Sequence, residues 1–246
     1  MYFVLKIPIM RVYFLLEDSR SFFETLPCWL SILKPTYRRV PEINRVYKGD
    51  CYVMKSGCGF PRILGVDPHS PAQNVLGATI TDINRYGNID RLVLVFDADD
   101  VPIGKRYRMA IQAIKTYPGG LKCPFSIFLV NHCFETWLLG NRDMYPKGHI
   151  PYDFQPFDEY YNVSTHDPEK MLGVQEYLTT SLFHAEYLRQ MLLTQKVNYS
   201  KRNPGAVCTR AYLEALRQRV AALDEHHKPE GHLNSLKRFF DFLDRL

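Results

Sequence analysis

The segment Arg91-Leu-Val-Leu-Val-Phe96 constrains the fold more than any other part of the chain. Its five consecutive apolar residues leave no polar face for solvent. A strand of this kind must be covered on both sides, as in the centre of a parallel sheet. The run then ends abruptly in Asp97-Ala-Asp99-Asp100. A second short run, Arg11-Val-Tyr-Phe-Leu-Leu16, ends the same way at Glu17, and further strands are expected at 51–55 and 125–130.

Between these runs the apolar spacing turns helical. Ser19 is placed to cap a helix through Phe22, Phe23, Leu26, Leu30 and Leu33, with Pro27 expected to kink it. Residues 68–86, 103–116 and 133–139 are expected to be helical. Strand–helix alternation over 10–141 predicts a doubly wound, mostly parallel α/β core, Rossmann-like, with its site at the carboxyl ends of the strands. Residues 142–165, rich in Pro, Tyr and Asp, are expected to form a linker or crossover. A helical C-terminal region, 166–246, follows. Its helices are expected at 169–193, 206–223 and 233–246, with Asp167 capping and Pro168 in the first position.

Composition narrows the function classes. With 46% apolar and 23% charged residues, the chain can bury a core. Its longest apolar stretches fall far short of the ~20 residues of a membrane-spanning helix. Residues 1–9 lack the pattern of a secretory leader, and Met10 is an alternative start that would leave them as an extension. The six cysteines form no CxxC pair, so reduced thiols in a cytoplasmic protein are expected. No HExxH, zinc ladder or P-loop occurs, so ATP hydrolysis by this chain alone is not expected.

Net charge is only +5, but its distribution is uneven. Seven basic residues, Lys34, Arg38, Arg39, Arg45, Lys48, Lys55 and Arg62, stand against Glu42 and Asp50 in a loop-rich stretch. Tyr37, Tyr47, Tyr52 and Phe60 interleave them. Cations with aromatic rings can meet a phosphate backbone and unstacked bases. A solvated basic loop has the same composition.

The acidic strand ends carry the sharper signal. Glu17, Asp97, Asp99, Asp100 and Glu135 all follow expected strands, where they would converge and raise one another's pKa. Hard oxygen donors of this kind suit Mg²⁺ or Mn²⁺, which can polarise a phosphodiester and activate water. The plainer reading is that Asp99 or Asp100 caps the next helix.

A glutamate ending an early strand and Asp-x-Asp ending a later one resemble the Toprim domain of topoisomerases, bacterial primases and overcoming-lysogenization-defect nucleases. The stretch Phe134-Glu135-Thr-Trp137-Leu-Leu139 is similar to the FExWLL signature of small Toprim-like proteins in bacterial phage-defence loci, the RloB-like group. Gly57-Cys-Gly59-Phe60-Pro61, Tyr199-Ser-Lys201 and Leu233-Asn-Ser235-Leu-Lys-Arg-Phe239 extend the resemblance. It implies a metal-dependent nuclease acting on DNA or RNA, including tRNA, as the toxic effector of an antiviral system, gated by an ABC-type ATPase encoded alongside. Glu17 would then be the acid/base or metal-associated carboxylate. Asp97 and Asp99, with Asp100, would hold the metal. Glu135 is either a further ligand or a structural residue. Lys201 and Arg202 would neutralise charge on the scissile phosphate. Asp18 and Ser21 stand where many Toprim proteins have Gly and an acid, and Pro102 where a Gly is common. These departures keep open a non-catalytic subunit that binds nucleic acid or an ATPase partner.

Overall fold

The computed structural model describes residues 10–47, 49–65, 74–221 and 231–246. Lys48, His226 and His227, residues 1–9, and the start of the helix expected from 68 lie outside that set. Among the described residues, strands β1 (Arg11–Leu16), β2 (Arg38–Arg39), β3 (Cys51–Ser56), β4 (Arg91–Asp97) and β5 (Phe125–Val130) form one sheet, ordered β2-β3-β1-β4-β5. Every pairing is parallel, so the sheet is Rossmann-like and the expected α/β class holds. β2 was not legible in sequence, because two residues carry no periodicity.

Alternation along the strands splits the core into two layers. Val12, Phe14 and Leu16 of β1, with Val93 and Val95 of β4, face one side. There α1 (Ser21–Leu33) packs with α4 (Phe134–Leu138), α5 (Gln155–Tyr160), α6 (Thr180–Thr194), α7 (Arg210–Ala221) and α8 (Asn234–Asp244). Tyr13 and Leu15, with Leu92, Leu94 and Phe96, face the other side, under α2 (Val75–Tyr86) and α3 (Ile103–Lys115). The first layer is aromatic at its centre. Fully buried Trp137 stacks on Phe239, and Phe22 meets Trp29, Phe134 and Trp137 edge-on or tilted. Truncating a buried Trp of this kind to Ala costs ~3–5 kcal/mol.

The C-terminal helices belong to this core: α8 lies against β5, and Ser235 at its start accepts a hydrogen bond from Trp137 Nε1 at 2.6 Å. α8 has no side-chain cap of its own. Half-buried Glu169 supplies one, accepting from the Ser235 backbone N–H at 2.9 Å.

Two local expectations are corrected. α1 begins at Ser21 rather than after a Ser19 cap, with Asp18 accepting from the Ser21 hydroxyl at 3.1 Å. It runs unbroken through Pro27. The helix expected over 169–193 is instead a 3₁₀ turn at Pro168–Lys170, an irregular stretch, and α6 from Thr180 under a Thr179 cap. Asp167 does cap the turn at Pro168. What stops the helix there is tertiary: the Met171 carbonyl is spent on His184, and Gly173 packs so closely on Thr180 that a Cβ would lie 2.8 Å from its hydroxyl. No helix among the described residues is long and apolar enough to cross a membrane.

Candidate functional site

In order β2-β3-β1-β4-β5 the chain leaves β1 toward α1 on one face and leaves β4 toward α3 on the other. The sheet therefore opens between the carboxyl ends of β1 and β4, the place where doubly wound proteins bind ligands. A cavity of about 250 Å³ lies there, lined by Glu17, Asp18, Ser21, Asp97, Asp99, Ser181 and Lys201 among others.

Glu17 is built into the backbone around it. Its N–H continues the ladder to Val95, and its carboxylate accepts the Asp97 N–H at Oε2 (2.6 Å) and the Phe60 N–H at Oε1 (3.2 Å). The Gly57–Pro61 turn exists to make the second bond. Gly57 donates to Leu16 and Gly59 to Glu17 through the main chain. A Cβ on Gly57 would sit 2.5 Å from Ile63, and Gly59 takes φ +83°, so both positions require glycine. Burial, with Asp99 adding to it, pushes Glu17 up to about 7 against the two N–H bonds.

Asp97 follows Val93 and Val95 in the alternation of β4, on the side of the first layer, and among the described residues its carboxylate accepts no hydrogen bond. Burial, then Glu17, Glu135 and Asp99, holds its proton affinity well above the usual carboxylate range, with Lys201 opposing. Asp99 adopts φ +50° and is held at both oxygens, by Ser181 Oγ on Oδ1 (3.0 Å) and Arg106 Nη2 on Oδ2 (3.1 Å). Its N–H donates to the His132 carbonyl, and His132 Nδ1 lies 3.2 Å from its own carbonyl. Asp100 is exposed beside it.

Glu135 sits apart from these groups. It is fully buried, its Oε1 accepts from Tyr199 at 3.0 Å, and its Oε2 lies 3.4 Å from Lys201 Nζ. Two sequence motifs thus meet, the FExWLL-like stretch supplying Glu135 and Tyr199-Ser-Lys201 supplying its partners. Burial works against the Lys201 charge, but Glu135, Cys133 and Asp97 outweigh it and hold the ammonium above its ordinary range. Glu135 is therefore the anchor that sets Lys201 beside Asp97. Beyond it, His184 bonds Thr136 and the Met171 carbonyl, and burial pushes it down to about 3, which keeps the ring neutral.

The basic stretch does not form one surface. Arg38 and Arg39 pair with Cys51 and Tyr52 at the amino end of β3, away from the carboxylates. The turn carrying Arg45 is held near that end by Asn88. Lys55 and Arg62 lie at the carboxyl end, and Arg202 is exposed beside Lys201.

Arg106 and Ser181 were missed in sequence: both lie inside helical patterns, and only the folded chain brings them to Asp99. Among the described residues no group of three or more His, Cys, Asp or Glu side chains is close enough to hold a metal ion. The donors present are nonetheless all hard oxygens. Asp97 is free at both, and each Glu17 oxygen, accepting one N–H, keeps a lone pair. That fits Mg²⁺, which binds through one or two carboxylates and completes its shell with water and substrate phosphate. Comparison of the chain with protein-family models, curated proteins and solved structures gives no match.

Proposed function

We propose that this chain is a divalent-metal-dependent phosphodiesterase of Toprim-like design that cleaves DNA or RNA as the effector of an anti-phage system. The observation that carries the reading is Asp97. It is a half-buried carboxylate that lines the cavity and accepts no hydrogen bond among the described residues, at the switch point of a parallel sheet, with Glu17, Glu135 and Asp99 raising its proton affinity and Lys201 opposing them. An aspartate kept for structure would have a donor, since leaving a partly desolvated carboxylate unpaired costs stability.

In this reading Asp97, with Glu17 or Asp99, would hold Mg²⁺ or Mn²⁺. When bound, the ion would neutralise the carboxylates, polarise the phosphodiester and lower the pKa of a water. Glu17, near neutrality in its proton affinity, can hold or release a proton. Oε1, with the longer of its two bonds, is the oxygen to carry it. Lys201 Nζ stands on the opposite side, within reach of the anionic oxygens of a phosphate in the cavity. Ser181 and Arg106 keep Asp99 oriented. The defence setting and the gating ATPase enter through the motif resemblance.

A second reading is a binding subunit without catalysis. It is favoured by the fact that Glu17 and Asp99 each spend both oxygens on protein donors. Titrating Mn²⁺ and Mg²⁺ into wild type and Asp97→Ala, while following cleavage of plasmid DNA and bulk tRNA, separates the two. Metal-dependent cleavage lost in Asp97→Ala supports the enzyme and names its substrate. Metal binding without cleavage calls for the activating partner to be added. Absence of metal binding leaves the binding subunit.

A further inference from the structure

The core-facing stripe of α3 reads Arg106, Ala110, Ile114. Ala110 and Ile114 do what the stripe requires and join the apolar layer under the sheet. Arg106 does not. It is only 4% exposed, in a position where a Leu or Met would pack without cost. Its Nε has no hydrogen-bond partner among the described residues. The guanidinium lies 3.6 Å from the centroid of the Phe60 ring, and its Nη2 holds Asp99 Oδ2 at 3.1 Å. Its salt-bridge partner among the described residues is the more exposed member of the pair, with 39% of the Asp99 side chain open against 5% for the arginine. A pair this lopsided is a poor reason to bury a cation.

Its two contacts lie on different strand ends. Asp99 belongs to the loop after β4. Phe60 belongs to the turn after β3, and its backbone N–H holds the Glu17 carboxylate of β1. We infer that Arg106 is a positioning residue, a clamp that ties Asp99 through the Phe60 ring to the turn that holds Glu17. The distance between the two acidic strand ends is then set by one side chain rather than by the sheet alone. This deepens the metal-dependent reading and rests on it for its purpose, though not for its geometry.

The test uses the full chain with Arg106→Met, which matches the apolar stripe, and Arg106→Lys, which keeps the charge without the planar face. Two quantities are measured: amide hydrogen exchange at Gly59 and Phe60 without metal, and Mn²⁺ affinity by calorimetry. The clamp predicts that Arg106→Met exchanges about tenfold faster at those amides while its thermal midpoint stays at or above wild type. Mn²⁺ affinity should fall by about 10-fold or more, as when a partner that orients a metal ligand is removed. Arg106→Lys should recover part of the affinity, which a purely packing role would not allow. Unchanged exchange and affinity in a folded Arg106→Met would overturn the clamp. If wild type itself binds no Mn²⁺, the metal-dependent reading falls, and the exchange rates still decide the clamp: faster supports it, unchanged overturns it.

Discussion

At the amino end of β1 and β4, Asp90 meets Arg11 through three hydrogen bonds: from Nη2 at 2.6 Å, from Nε at 2.9 Å and from the backbone N–H at 2.7 Å. At the carboxyl end of the same two strands no arginine among the described residues faces Glu17 in this way: its carboxylate is held by the backbone N–H groups of Asp97 and Phe60, and Asp97 lies under the like charges of Glu17, Glu135 and Asp99. The arginine holds Asp90 below the usual carboxylate range, whereas burial and like charge hold Glu17 and Asp97 above it. One end fastens the sheet. The other stores electrostatic repulsion next to a cavity, a pattern that marks functional sites more often than structural ones.

The largest effect that would sharpen this contrast is at Lys201. Removing it strands Glu135, fully buried, with Tyr199 alone. Lys201→Ala should therefore destabilise by about 3 kcal/mol in denaturant titration, the low end for a buried carboxylate losing its partner because the lysine side chain is 45% open. Adding Glu135→Gln should recover most of that loss, and no recovery would break the assignment of Glu135 as the Lys201 anchor.

Next comes pH. With Glu17 raised to about 7, the folded state binds the extra proton, so stability must fall as pH rises from about 4 to 7 and stay low above. The size is on the order of 3 kcal/mol, and Glu17→Gln should flatten the slope. Asp90 has the opposite sign. Its contribution stands above about pH 4 and disappears as acid protonates it through its lowered pKa. Asp90→Asn should cost about 1 kcal/mol at neutral pH, discounted because the pair is partly exposed. The smallest change is expected for Asp97→Asn, where thermal unfolding should show a midpoint unchanged or slightly raised. A clear loss of stability would mean that Asp97 is structural after all.

The parts of the fold that were legible are those where one residue pattern suffices. β1 and β4 are continuous apolar runs and β5 is interrupted only by Ser126, and the acidic endings of β1 and β4 placed Glu17, Asp97 and Asp99 in one crevice. What sequence did not show are contacts between distant segments. Arg106 looks like one more cation on an amphipathic helix until α3 is docked. Ser181 looks like surface, and Glu135 looks like a fourth carboxylate until Tyr199 and Lys201 arrive beneath it. The distribution of the basic stretch was hidden for the complementary reason. Charge close in sequence was divided between the two ends of the sheet by β2 and β3, which carry it along the strand direction.

The all-parallel order also governs how the protein comes into being. The central strand β1 is made first, yet its neighbours begin only at Cys51 and Arg91. Parallel partners of that separation cannot close as hairpins, and such non-local pairing is slow. The nascent chain therefore leaves β1 without both its neighbours until β4 emerges, and Glu17, Asp97 and Asp99 are all synthesised before Tyr199 and Lys201. The acidic strand ends are thus synthesised before the cation that faces them, and Lys201 can join them only after α6, which precedes it in the chain, has been made.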